Sequence, residues 1–358
     1  MSHKSRIRHA LATIGMAAAA LTATGIAFGQ GCVAAHSSAR VMDQLVPGYN
    51  PPEGGTKFSL HNLTFSIGYR VFNSNKYFVG TDEIARPTVV RNHQNIFDLD
   101  VNYQLSPRWS LVADVPFFDG TRNQIYPPSG IFQVGGIGDM TIGAQAWVFR
   151  PPTERGGDVA FSASLKIPTG INTAKGSALY KGQTIQATAD QSLQPGDGGW
   201  GFLLASQAYQ KLWHTANAYW QGQYLFNPED TNGVPTFRTQ PGQGVMSVTD
   251  QYLYRAGISQ AVPVPKLRHI ALSLGVRDEG VPAHDAIGSS NGFRRPGYIV
   301  SIDPGLMYNY HRDTIAINGP WALARNREPS VPELENGTKN GDAFFADYTI
   351  IASWSHQF

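Results

Sequence analysis

The feature that most limits how this chain can fold is an alternation of apolar and polar residues with a period of two, repeated along most of its length. In one segment Phe97, Leu99, Val101, Tyr103 and Leu105 share a face, and Asp98, Asp100, Asn102 and Gln104 share the other. In another, Leu63, Phe65, Ile67, Tyr69 and Val71 oppose Thr64, Ser66, Gly68 and Arg70. A third sets Ala216, Ala218, Trp220, Gly222, Tyr224 and Phe226 against Thr215, Asn217, Tyr219, Gln221 and Gln223. At the end of the chain Tyr348, Ile350, Ala352, Trp354, His356 and Phe358 oppose Asp347, Thr349, Ser353, Ser355 and Gln357, with Ile351 out of step. Successive side chains of a strand point to opposite sides, so each segment reads as a ribbon with one oily and one wet face.

Segments of this kind are expected at about 59–71, 93–105, 107–118, 135–149, 157–168, 199–210, 213–226, 250–261, 267–278, 297–310, 313–324 and 344–358. They make about 12 strands (10–14 with uncertain ends), and the even number suits a single-chain bacterial barrel. The connections alternate in length. Residues 72–92, 119–134, 169–198, 227–249, 279–296 and 325–343 are long. Between them fall short links at Ser106, at 150–156, at Lys211 and Leu212, at 262–266, and at His311 and Arg312. A soluble sandwich also alternates polar and apolar residues. It does not explain why every long connection falls on one side. The expected fold is therefore all-β: a closed antiparallel transmembrane β-barrel with short periplasmic turns and long extracellular loops. Tyr103, Trp109, Trp147, Phe149, Trp213, Tyr308, Tyr310 and Phe358 all lie at the short-turn edge, where amphipathic rings favour the membrane–water boundary. Two places resist the pattern. Pro304 and Gly305 interrupt the tenth strand, which implies a bulge there, and Leu203 followed by Leu204 breaks the alternation of the sixth.

The N-terminus reads as an export signal over residues 1–31. Lys4, Arg6 and Arg8 precede an Ala-rich apolar run from Ala10 to Phe28, and small residues follow at Gly29 and Gly31. A retained membrane helix is the other reading of this run. Residues 32–56 form an N-terminal extension or a plug segment, and 57–358 the barrel. The single cysteine, Cys32, excludes an internal disulfide framework and a Cys-based zinc site; it either leaves with the signal or stands where a lipid could be attached. No later stretch is apolar for long enough to be a membrane helix, so a membrane location requires a closed barrel. With a formal charge of only +2, there is no electrostatic footprint for nucleic acid.

Three stretches carry a family resemblance: GGIGDMTIGAQA at Gly135–Ala146, LKIPTG at Leu165–Gly170, and GDAFFADYTIIASWSHQF at Gly341–Phe358. In this order they resemble the outer-membrane barrel family named for the meta-pathway of phenol degradation. The resemblance implies a channel or transporter for small hydrophobic or aromatic compounds in the bacterial outer membrane. Trp354 and the terminal Phe358 resemble the signal read by the barrel-assembly machinery, with His356 departing from the usual residue two places before the end.

On the polar face, counting registers around each turn gathers charge. Around Ser106, Asp98 is expected opposite Asp114 with Arg70 at the same height and Asp100 nearby. Asp139 and Lys166 are expected to oppose each other across 150–156. Arg255 and Asp303 flank Ser273, Arg277 points inward nearer the exterior, and Asp347 lies on the inner face of the last strand. Each group reads either as pore lining or as an ion-pair network bracing a wet interior. Both signs occur, so strong ion selectivity is not expected. His61, His93, His214 and His356 accompany neither a G-x-S-x-G nor an HExxH motif. No enzyme activity, cofactor or metal is therefore expected. Outer-membrane lipid, the assembly machinery and a small-molecule substrate are the expected partners. Two other functions remain open on sequence: a barrel whose loops bind a partner without transport, and an outer-membrane lipid-modifying enzyme.

Overall fold

The computed structural model describes residues 57–149 and 156–358, together with residues 52, 54 and 55. The segment expected to be an export signal, Cys32 and nearly all of the expected N-terminal extension lie outside the described residues.

Nineteen strands occur among the described residues: β1 (Leu63–Val79), β2 (Asp82–Glu83), β3 (Asn92–Gln104), β4 (Trp109–Gln124), β5 (Gly130–Ile137), β6 (Met140–Trp147), β7 (Gly157–Ile167), β8 (Lys175–Tyr180), β9 (Gln183–Thr188), β10 (Gly201–Trp213), β11 (Ala216–Phe226), β12 (Thr231–Pro235), β13 (Val245–Ser247), β14 (Gln251–Ala261), β15 (Ile270–Val281), β16 (Gly297–Tyr310), β17 (Asp313–Asn318), β18 (Trp321–Asn326) and β19 (Asp342–Gln357). One short helix, α1 (Val331–Glu335), lies between β18 and β19. β5 and β6 are two halves of one stave, both paired with β4, and β17 and β18 are two halves of another, both paired with β16. Each stave pairs antiparallel with its sequence neighbour, and β19 pairs back onto β1 from Thr64↔Gln357 to Val79↔Asp342. The result is a closed barrel of twelve staves, matching all twelve expected segments. Closure joins the last stave to the first, the condition a sheet must meet in lipid, and β5 extends beyond it with a ladder on one side only.

The two faces are inverted relative to a soluble protein. Leu111, Ile142, Phe161, Leu165, Leu272, Leu274, Val276 and Ile317 are exposed on the outside. The alternate positions are buried and mostly polar, among them Ser66, Ser110, Thr141, Gln145, Ser164, Gln221, Gln223, Ser259 and Ser301. Only hydrocarbon makes this favourable: oily groups lose nothing against it, and polar groups need the water or partners inside. The sixth stave follows the same rule. Leu204 is exposed on the outside, and Leu203 lies inside between Ser164 and Leu225.

Connections at one end are short: 105–108, 214–215, 262–269 and 311–312. Those at the other end are long and carry the β8–β9 and β12–β13 hairpins and α1. Three sequence expectations are corrected here. The tight link after β10 is His214 and Thr215 rather than Lys211 and Leu212, because β10 continues to Trp213 and His214 takes the left-handed turn conformation, with φ of 42°. The β15–β16 ladder runs through Leu274↔Pro304 and Ser273↔Gly305 without a register shift. The irregularity expected at Pro304 falls instead in the neighbouring stave, where β17 gives way to β18 at Gly319 and Pro320, beside the proline that has no N–H to donate. Trp147 faces inward, 5% exposed, and packs with Tyr209, Tyr219 and Met307 into an apolar cluster inside the short-turn end. Trp109, Trp213, Tyr310 and Phe358 stay exposed at that edge.

Candidate functional site

The interior of the barrel and its outer cap hold nearly all the buried charge. On β3 and β4 the ladder pairs Asp100 with Asp114 and Asp98 with Pro116, so Asp98 does not oppose Asp114 as the sequence count had it. The two hairpin arms meet at Gln104↔Ser110, placing the turn centre one residue later than Ser106 and shifting every partner by two. Arg70 lies one register step beyond, since Gly68 is the residue paired with Asp98. All four side chains are buried on the inner wall.

Across the barrel, Arg255 of β14 makes a direct ion pair with Asp303 of β16, next to Ser273 on the strand between them. The Asn318 amide donates to the same carboxylate at 3.2 Å, and the Arg255 guanidinium sits 5.1 Å from the Tyr219 ring centre. Arg277 is buried inside and pairs with Glu279, two residues along its own strand, at 2.7 Å. Asp347 is half-buried and held by Arg325 at 2.7 Å and Lys76 at 3.2 Å.

Asp139 and Lys166 come within 3.9 Å of each other, but the stronger partner of Lys166 is Asp197, at 2.5 Å. Asp139 stands at the break between β5 and β6 and accepts the backbone N–H groups of Gly170 and Asp197, each at 2.9 Å. Thr169 completes the joint: its hydroxyl donates to the Gly138 carbonyl at 2.9 Å and accepts the Met140 N–H at 3.0 Å. The Gly-Asp and Pro-Thr-Gly segments singled out in the sequence are thus two sides of one junction, where the long connection 168–200 leaves the wall.

That connection does not stay outside. Residues 189–197 cross the interior as a strap. A short 3-10 turn, Gln191–Leu193, is capped by the Asp190 side chain, which accepts the Ser192 N–H at 3.1 Å. Leu193 is 0% exposed, packed against Phe132 and Val134. The Gln94 side chain, on the barrel wall, donates to the Ser192 carbonyl at 2.7 Å, and Gln191 donates to the Ser247 carbonyl at 2.9 Å. Asp190 is the central tie. Arg295 grips it with both guanidinium nitrogens, at 2.7 and 2.5 Å, and Arg122 of β4 stands 3.6 Å away. Burial alone would raise this carboxyl, but Arg122 and Arg295 overcome that and hold it well below the usual carboxylate range. Other carboxylates tie the rest of the cap. Asp285 takes both nitrogens of the fully buried Arg294 at 2.8 and 2.5 Å. Asp250 accepts the N–H groups of Asn227 and Ala286 at 2.7 and 2.8 Å, and Arg327 pairs with Glu333 at 3.0 Å.

The strap divides the internal space. Above it, open to the exterior, is a cavity of about 310 Å³ bordered by Arg122, Asp190, Phe237, Arg238, Phe293 and Arg295. Below it is one of about 120 Å³ beside Gln94, Lys166 and Asp197. Gln191 and Met246 border both. Deeper, among Asp100, Asp114, Gln145, Ser164, Gln221 and Gln223, lies a third of about 100 Å³.

Asp190, Asp197, Glu279, Arg295 and Arg238 were not among the residues expected from sequence. Glu279 lies on β15, just past the end expected for that strand, and the other four are placed by the path of irregular loops, which no periodicity encodes. Of the histidines singled out in the sequence, His93 meets Asn73 at 2.7 Å and His356 meets Asp313 at 2.9 Å.

Inverted faces, twelve staves and one-sided loops define the chain as an outer-membrane β-barrel. No family model and no curated protein matches the sequence. Among solved structures, the chain resembles an outer-membrane channel of Pseudomonas putida F1, with a TM-score of 0.55 and 13% identity over 85% of this chain and 97% of that one. The β domain of the Bordetella autotransporter BrkA gives 0.45 and 10% identity, over 82% and 100% of the two chains. The toluene transporter TodX of P. putida gives 0.43 and 9%, over 92% and 99%. At these identities the likeness is one of fold.

Proposed function

We propose that the protein is an outer-membrane channel for small hydrophobic or aromatic compounds, with a polar lumen and an outer loop as its gate. The observation that carries this reading is a series of cavities along the interior among the described residues, from the outer mouth downward, with a loop strap between the upper two. A barrel serving only as a scaffold for its loops has no need of a row of internal spaces walled by charged side chains. The fold shared with the P. putida channel supports the same reading, as does the resemblance of the three sequence segments to the phenol meta-pathway barrels. Four rings at the outer mouth, Tyr126, Phe237, Phe293 and Phe344, suit an aromatic solute on its way in. The lower wall is suited to passage rather than tight retention, because Asp303 and Glu279 are already engaged by Arg255 and Arg277.

The gate in this reading is the strap, and its latch is Asp190. Neutralising that side chain by Asp190→Asn removes the charge that Arg295 and Arg122 hold. Single-channel conductance in planar bilayers is expected to rise severalfold, with uptake of benzyl alcohol into proteoliposomes rising in parallel. A correctly folded barrel that passes no current and no solute, with or without the substitution, would exclude the channel reading.

A further inference from the structure

The outer cavity contains one cation that the cap does not use. Three guanidiniums border it, those of Arg122, Arg238 and Arg295, against two carboxylates, those of Asp190 and Asp342. Asp190 is consumed by Arg122 and Arg295, and Asp342 accepts the Tyr77 hydroxyl at 3.2 Å. Arg238 sits on the exposed connection between β12 and β13. Among the described residues no carboxylate lies within ion-pairing distance of it. Its guanidinium is instead held over the ring of Phe293, 4.5 Å from the centroid. Arg295 stands 4.7 Å from the same centroid, so one buried ring orients two cations. Stacking fixes the plane of the fork and leaves its N–H groups free to point into the cavity. Phe237, 44% exposed, adds an uncovered aromatic face beside it.

We propose that this vestibule is a binding site for small aromatic carboxylates, with Arg238 receiving the carboxylate and the surrounding rings receiving the arene. The proposal rests on the channel reading for its purpose, and it narrows the substrate class from neutral aromatic compounds to aromatic acids. A guanidinium fork matches a carboxylate in shape and charge. A cavity of about 310 Å³ is at the small end of ligand pockets, which favours a single-ring solute. An inorganic anion would satisfy Arg238 but leave the rings facing water. A neutral arene would satisfy the rings but leave the surplus charge unanswered. The cavity walls concentrate that charge at the mouth, where it also raises the capture rate of anions.

The test is titration calorimetry on the intact barrel in detergent, with benzoate, acetate, inorganic phosphate and benzyl alcohol as probes. Benzoate is expected to bind more tightly than the other three. Arg238→Gln is expected to weaken benzoate by about tenfold or more, the usual worth of a charge-assisted pair. Phe237→Leu, which leaves the Phe293 ring beneath Arg238 in place, is expected to weaken benzoate and leave acetate unchanged. Equal binding of acetate or phosphate and benzoate would overturn the aromatic part, and benzoate binding indifferent to Arg238→Gln would overturn the whole. Should that variant fail to refold, Arg238→Lys keeps the charge and loses the fork; undiminished benzoate affinity in it would equally overturn the proposal. Conductance on the same preparation separates the two readings. Current without benzoate binding sinks only this inference. Benzoate binding without current sinks the channel and leaves the site.

Discussion

The wall of the barrel and its outer cap are built on opposite principles. In the wall, the backbone ladder fixes every strand, and the side chains only have to choose a face. Charged residues there find partners across the inner wall, as Arg255 of β14 does with Asp303 of β16 over the intervening β15. In the cap, little regular pairing exists beyond two hairpins, so single carboxylates do the fixing. Asp139, Asp190, Asp250 and Asp285 each accept a backbone N–H or an arginine fork from a segment distant in sequence, Asp285 taking the Asp250 N–H at 2.9 Å. The difference teaches where change can be confined: a cap tie can be cut without disturbing the ladder, whereas a wall charge cannot lose its partner cheaply.

The largest expected effect is in the wall. Asp303→Asn leaves Arg255 buried against a neutral group and is expected to cost about 3–5 kcal/mol, read as a lower temperature for loss of the compact, heat-modifiable gel band. Replacing both, as in the double variant Arg255→Met with Asp303→Leu, should recover most of that loss. If the single and double variants melt together, the pair is not what braces this side. Next comes the outer face. Leu274→Arg, at a site 56% exposed, should cost about 2–4 kcal/mol if that face meets the bilayer midplane. Leu334→Arg in α1, at a similarly exposed 49%, should cost almost nothing, because the cap meets water. Equal costs would erase the distinction between the two regions.

How much of this was legible in the sequence follows from the same distinction. All twelve staves could be read because alternation is a local signal that repeats in each of them. The Arg255–Asp303 pairing was within reach because register carries across neighbouring strands. Register also produced the error at Asp98: moving a turn centre by one residue changes every partner by two. Asp190 and Arg295 were out of reach, being 105 residues apart and meeting only through the tertiary path of two loops. Asp197 could have been suspected from its place between glycines at 196 and 198, but nothing local named Lys166 as its partner.

The remaining tests have smaller effects. The Asp190 carboxyl is held below its unfolded value, so its contribution is complete above pH 3.8 and is lost as the pH falls through the folded value. Conductance is therefore expected to be flat from neutral pH down to about that point and to rise only in stronger acid. A rise beginning near pH 6 would assign the latch to another group. Smallest is the end of the chain. If Phe358 helps the assembly machinery recognise the last strand, Phe358→Ala should lower the amount of barrel inserted in cells while leaving the melting of the purified protein nearly unchanged. A variant inserted as efficiently as the parent would remove that role.

The seam between β1 and β19 has a consequence for how the molecule is made. Its two sides are contributed by the first and last staves of the barrel, with Thr64 beside Gln357 and the Phe358 N–H donating to the Leu63 carbonyl at 3.1 Å. Nothing can zip that join until β19 has been delivered. Throughout synthesis and export the nascent sheet therefore carries two raw margins, each able to recruit a stranger's strand. Until β19 reaches β1 the sheet is an open curl, and only the docking of these two strands makes it a cylinder.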